Sequence, residues 1–173
     1  MEDRRQRFEQ LAALVWDPLQ RYLRRRCAPE VAEDVLGDVL LVLWRRLDDA
    51  PAGAELPWAY AVARGCLANA RRGEDRRLSL VSRLRRERPP EPPVPDDRVG
   101  AALTRLRPAD AEVLRLWAWE GLEARDLATV LGCSAGAAAN RLSRARSALR
   151  EQLRQDDAGA GHRGQREGEE FPR

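Results

Sequence analysis

The sequence predicts an all-α protein: two small helical domains joined by a Pro-rich linker, the C-terminal one a helix-turn-helix. Three observations carry this. No segment alternates with period two, whereas apolar residues recur at helical spacing along most of the chain. The stretch "RPPEPPVPDDR", Arg88 to Arg98, breaks that pattern with five Pro and reads as an extended strap. The stretch "LATVLGCSAGAAANRLSRARSAL", Leu127 to Leu149, has the order short helix, Gly turn, capped second helix.

The elements follow in order. A first helical region covers about Asp3 to Arg26, with Phe8, Leu11 and Val15 on one stripe and Leu19, Tyr22 and Leu23 carrying it onward. Asp17-Pro18 reads as an N-cap and a Pro at the first helical position, so the region is two helices or one with a kink. The second helix runs from about Pro29 to Leu47. Its stripe of Leu36, Leu40, Leu43 and Leu47 is widened by Val35, Val39 and Val42, which suggests burial on two sides. The loop "DDAPAGAEL" precedes a third helix, from Pro57 to about Arg72, with Val62 and Leu67 on its apolar side.

Beyond the strap, helical signal resumes near Val99 with Ala102, Leu103 and Leu106. Pro108 starts another helix, with Val113, Leu114 and Trp117 inward, and Gly121 stops it. Two short helices follow. The tail is Gly-, Gln- and charge-rich and is expected to be disordered. The boundaries so drawn are 3–80, a linker at 81–97, a second domain at 98–153, and a tail at 154–173. Each domain is near the lower limit for a self-sufficient core. The competing reading is one compact bundle with a Pro-rich loop.

Of 173 residues, 43% are hydrophobic and 34% charged, with a net charge of +3. The distribution is more informative. Between Arg64 and Arg88 nine Arg face three acids, Glu74, Asp75 and Glu87, a run that attracts a polyanion. Every basic side chain is Arg, whose planar fork suits phosphate or guanine edges. Cys27, Cys66 and Cys133 are scattered without a CxxC spacing, which fits a reducing cytosol and makes no zinc site. The charged N-terminus is not a signal peptide, and the longest apolar run, Val39 to Trp44, is far too short to span a bilayer. Clustered carboxylates can bind Mg²⁺, but Asp34 and Asp38 have no further acid or His in reach by sequence. No metal, no cofactor and no enzymatic activity are expected.

In the helix-turn-helix, Leu127, Ala128 and Leu131 face inward, Gly132 ends the first helix and Ser134 caps the second. Ala135, Ala138, Leu142, Ala145 and Leu149 make the inner face of that second helix. Ala137, Asn140, Arg141, Arg144 and Ser147 lie opposite, as entry into a DNA groove requires. An amphipathic helix with a solvated Arg face is the plainer alternative.

The segment "DAEVLRLWAWEGLEARDLATVLGCSAGAAANRLSRARSALRE" resembles the promoter −35-reading region of bacterial sigma factors, those of the extracytoplasmic-function (ECF) group in particular. The matching residues are Val113, Leu114 and Leu116; Glu120-Gly121-Leu122; Leu131-Gly132-Cys133-Ser134 and Gly136; and Arg141, Leu142, Arg144, Ala145, Arg146 and Leu149. "AEDVLGDVLLVLWRRL", Ala32 to Leu47, is similar to the segment that holds the polymerase β′ coiled coil. "WAYAVARGCLANARR", Trp58 to Arg72, is similar to the −10 reading and melting segment. The departures are Ala137-Ala138-Ala139, where the family usually has Thr-Val-Lys, and Gly65, where Asn is common.

The resemblance implies a cytoplasmic sigma factor that directs core RNA polymerase, through its β′ and β subunits, to promoter DNA and helps strand opening. It also implies an anti-sigma partner. Glu33, Asp34 and Asp38 would meet polymerase. Trp58, Tyr60, Arg64, Asn69, Arg71 and Arg72 would meet the −10 element, since aromatic and Arg planes can receive unstacked bases; plain core packing is an equal reading for Trp58 and Tyr60. Asn140, Arg141 and Arg144 would enter the −35 major groove, with Ser134 and Arg125 at phosphates. The strap, with Glu91, Asp96 and Asp97, would lie in the polymerase cleft or act as a solvated spacer. Extended, it spans roughly 50 Å, close to the length of about 17 base pairs at ~3.4 Å per step. A stand-alone helix-turn-helix regulator, dimerising through the Leu36 to Leu47 stripe, remains an alternative, as does a non-DNA adaptor.

Overall fold

The computed structural model describes residues 2–82 and 98–163, and the described residues contain seven α-helices, one 3-10 turn and no strand. The strap residues Glu91, Asp96 and Asp97 and the tail beyond Arg163 lie outside the described residues.

Helix α1 (Glu2–Arg24) is continuous through Pro18 and buries Leu11, Val15, Leu19, Tyr22 and Leu23. A single helix therefore replaces the expected pair with an N-cap at Asp17. Pro18 offers no N–H to the carbonyl of Leu14, and Leu14 is 51% exposed, so the missing bond falls on the solvent face. Helix α2 (Pro29–Arg45) begins on Pro at its first turn and buries Ala32, Val35, Leu36, Val39 and Leu43. A short 3-10 turn, Leu47–Asp49, tucks Leu47 into the same core. Gly53 turns the loop at φ 75°, and its N–H is accepted by the Glu55 carboxylate at 3.0 Å. Helix α3 (Glu55–Ser82) starts before Pro57 and runs on well past Arg72, the end that the apolar pattern indicates.

The C-terminal half comprises α4 (Arg98–Arg105), α5 (Pro108–Glu120), α6 (Ala124–Leu131) and α7 (Ala135–Arg163). Gly121 and Gly132 end α5 and α6 in the left-handed conformation, at φ 68° and 63°. Leu103, Leu114 and Ala145 form a small local core, with Leu106, Leu142 and Leu149 against it. Trp117, expected inward, is 39% exposed; it sits in the last turn of α5, where Arg146 of α7 covers its ring at 4.7 Å. Helix α7 continues to Arg163, so residues 154–163 are helical where the composition suggests disorder.

The two halves touch. Helix α6 packs on α3, and one continuous buried cluster runs from Leu19, Tyr22, Tyr60 and Leu67 into Val113, Leu116, Leu127, Ala128 and Val130. The chain is thus closed on itself across the ends of the strap.

Candidate nucleic-acid interface

The turn between α6 and α7 shows how this sequence sets a second helix against the first. Gly132 reverses the chain, the Cys133 N–H returns to the Ala128 carbonyl at 3.1 Å, and Ser134 opens α7. The Ser134 Oγ accepts the Ala137 N–H at 3.2 Å. That bond uses the oxygen as acceptor, so the hydroxyl proton stays free to donate to a phosphate. Ala138 and Ala145 are fully buried, which fixes the roll of α7. Asn140, Arg141 and Arg144 consequently face solvent together, and Arg125 is exposed on α6 nearby in sequence. Arg144 donates weakly to the Asn140 carbonyl at 3.4 Å. Ala139 is exposed and Ala137 half-buried, so the start of the helix presents little polar reach.

Helix α3 divides its residues differently. Arg64, Asn69, Arg71 and Arg72 are exposed, and the Arg72 guanidinium donates to the Asn69 side-chain oxygen. Arg71 donates to the Arg26 carbonyl at 2.9 Å. Trp58 and Tyr60 are 8% and 2% exposed, so the structure does not bring them to the surface with the arginines. The Trp58 edge instead lines a hollow of about 370 Å³ with Val42, Arg46, Val62, Gly65, Cys66 and Asn69. Gly65 leaves this hollow open, since a Cβ there would meet nothing within 4 Å. Arg46 is a wall of the hollow that periodicity alone does not mark.

Glu33, Asp34 and Asp38 are all exposed on α2. Beside them Leu41 is 54% and Trp44 38% exposed, although both are large and apolar. Phe8 meets Trp44 edge-on at 5.2 Å and the Arg4 guanidinium lies over the same ring. An acidic face with an apolar end suits a partner helix that is basic and apolar. Burial, with the Asp38 charge adding to it, raises the Cys66 thiol above its ordinary value. Among the described residues no group of three or more His, Cys, Asp or Glu could hold a metal ion, and no helix is long and apolar enough to cross a membrane.

A third cluster lies between the halves. Arg26 donates to Glu120 at 3.1 Å and to Glu112 at 3.4 Å, and its guanidinium stacks 3.7 Å from the Tyr22 ring. The Arg26 and Glu120 side chains are 4% and 3% exposed. Tyr22 donates to Glu112 at 3.3 Å and Tyr60 to Glu120 at 3.5 Å. Burial, then the Glu120 charge, pushes the Tyr60 hydroxyl up to about 12; burial and Glu112 push Tyr22 higher still. No local pattern finds this cluster, because its bonded partners are up to 94 residues apart.

Comparison with known proteins fits this geometry. The Sigma-70, region 4 family model matches residues 96–149, the segment that builds α4 to α6 and the exposed reading face of α7. Two solved structures match over both halves. One is the sigma factor RpoE of Bartonella quintana in complex with the anti-sigma factor NepR: 25% identity, TM-score 0.63, covering 85% of this chain and 96% of that chain. The other is CnrH in complex with the cytosolic domain of CnrY: 28% identity, TM-score 0.58, covering 86% of this chain and 88% of that one. Residues 96–149 are thus similar to sigma-70 region 4, and the chain as a whole is similar to sigma factors of the ECF group. No curated protein matches it. A sigma factor directs core RNA polymerase to promoters in transcription initiation, and that is this chain's function. The alternative of a stand-alone helix-turn-helix regulator falls, because the likeness to sigma factors covers the N-terminal half as well as the reading helix. Within this sigma factor α7 is the helix of the region 4 turn, and its three alanines leave the polar face to begin at Asn140.

Proposed function

We propose that residues 3–80 form the polymerase- and −10-binding domain of this sigma factor, and residues 98–153 the −35-binding domain, with 81–97 as the linker. The observation that carries this is the shared solvent face of Asn140, Arg141 and Arg144 on a helix rolled into place by Ala138 and Ala145. Asn140, Arg141 and Arg144 read base edges in the −35 major groove, while Ser134 and Arg125 hold phosphates. Arg64, Asn69, Arg71 and Arg72 meet the −10 element. Trp58 contributes through the hollow it lines rather than by standing free on the helix. Tyr60 reaches DNA only after the halves part. Glu33, Asp34 and Asp38, with Leu41 and Trp44, hold the polymerase β′ subunit, and the C-terminal half meets β.

The protein works in the cytoplasm and performs no covalent chemistry; nucleotidyl transfer belongs to core polymerase. RpoE is described in complex with the anti-sigma factor NepR, and CnrH in complex with the cytosolic domain of CnrY. That supports an anti-sigma partner here too. The test is run-off transcription with sigma-free core polymerase. Promoter-specific transcripts that require this protein are the expected result. Tight binding to duplex DNA without polymerase, and no effect on core, would overturn the reading.

A further inference from the structure

Several arginines of the C-terminal half are neutralised by carboxylates. Arg98 pairs with Asp157, Arg105 with Asp156, Arg107 with Asp110 and Arg154 with Glu151. Arg146 meets a ring instead: its guanidinium lies 4.7 Å from the ring centre of Trp117. Among the described residues it has no carboxylate partner. A carboxylate cancels the charge of a guanidinium and occupies its N–H fork. An aromatic face orders the same group and leaves both charge and fork available to an anion.

Trp117 is held where it can do this. It lies in the last turn of α5, which Gly121 ends. Leu114 of α5 and Ala145 of α7 share one buried cluster, so the ring is fixed against α7 beside Arg146. Trp117 stays 39% exposed, so core burial accounts for only part of its side chain.

Arg146 lies six residues after Asn140, about 120° around the helix, at the edge of the exposed face. It follows Ala139 by seven residues, about 20° from it around the helix. Ala139 leaves that flank without a cation at the start of α7, and Arg146 supplies one two turns on. A helix lying in the major groove, about 12 Å wide, turns its edges toward the phosphate strands that wall the groove.

We propose that Arg146 is a phosphate contact on the flank of α7 that Ala139 leaves bare, and that Trp117 is the positioning residue that holds its guanidinium there. This rests on the sigma reading and adds to it a residue of α5 that touches no DNA and sets the affinity of α7. Trp117→Leu keeps an apolar cover and removes the ring; Trp117→Phe keeps a ring. Arg146→Ala removes the cation itself.

The experiment uses full-length chains: wild type, Trp117→Leu, Trp117→Phe, Arg146→Ala and the double variant Trp117→Leu with Arg146→Ala. Each is assembled with core polymerase, and promoter affinity is measured across a salt series on two −35 sequences. Binding to core alone is measured beside it. The expected result for Arg146→Ala is a several-fold loss on both sequences alike, with the salt slope reduced by about one and core affinity unchanged. Trp117→Leu should weaken promoter binding in the same sequence-independent way, Trp117→Phe should restore most of it, and the double variant should match Arg146→Ala. An unchanged salt slope in Arg146→Ala, with wild type still promoter-specific, overturns the phosphate contact and keeps the sigma reading. Lost core affinity in Arg146→Ala also overturns it, because the cation then meets polymerase. Additive losses in the double variant overturn the positioning role, because Trp117 then acts through the fold. A wild-type complex without promoter specificity overturns the sigma reading and the contact together.

Discussion

Arg26 and Glu120, 94 residues apart, meet at 3.1 Å with both side chains almost wholly buried. One lies just after α1 and the other ends α5, so this pair, with Arg25–Glu120 and Arg26–Glu112, ties the N-terminal half to the half that carries α7. Glu120→Gln removes the charge that faces Arg25 and Arg26. Breaking a buried pair from one side costs roughly 3–5 kcal/mol, whereas the exposed Arg5–Glu9 pair of α1 is an i,i+4 contact worth about 0.3–0.5 kcal/mol. Denaturant titration of Glu120→Gln and Glu9→Gln should show that contrast; equal effects would mean the seam is wet.

Alkaline titration reads the same seam without mutation. The chain has two Tyr, and both lie in the seam. Tyr60 is raised to about 12 in the closed fold, first by burial and then by Glu120, while the unfolded chain titrates near the ordinary 10.0. Between those values the unfolded state has released a proton that the folded state keeps, so stability is intact below about pH 10 and falls as pH climbs toward 12. Tyrosinate absorbance should appear late and together with loss of structure. A transition near pH 10 in the folded protein would place the two rings in water.

Local features of the reading helix were legible in the sequence, and the seam was not. Gly121, Gly132 and Ser134 act through bonds to residues three to six positions away, so their roles follow from spacing alone. The roll of α7 was readable from Ala138 and Ala145, which are buried, whereas Ala135, expected on the same inner face, is exposed in the first turn. Trp117 departs from its expected burial because periodicity gives the face but not how far the core extends along it. Pro18 departs from its expected role because a helix tolerates it where the orphaned carbonyl faces solvent. Arg26 and Glu120 look like ordinary surface charges until the chain closes.

Loss of the α7 cap should be separable from loss of reading. Ser134→Ala removes the Oγ acceptor of the Ala137 N–H and should cost about 1 kcal/mol of stability. It should also weaken promoter binding equally on all −35 sequences. Thermal unfolding and holoenzyme binding to two promoters check both parts; a change in sequence preference would make Ser134 a base reader.

The alanines at the start of α7 can be refilled. Ala139 is exposed, so Ala139→Lys should add one phosphate contact, raise affinity on every sequence alike and steepen the salt dependence by about one unit of slope. No change in slope would show that position 139 faces away from DNA.

Arg141 bears most directly on the central claim that α7 reads the −35 element within a polymerase complex. The measurement is a competition between promoters that differ at single −35 base pairs, using holoenzyme made with wild type or Arg141→Ala. The account predicts that Arg141→Ala loses discrimination at one or two positions, by about 1–3 kcal/mol each, and keeps it elsewhere. An equal loss on every sequence, or no loss at all, would contradict it.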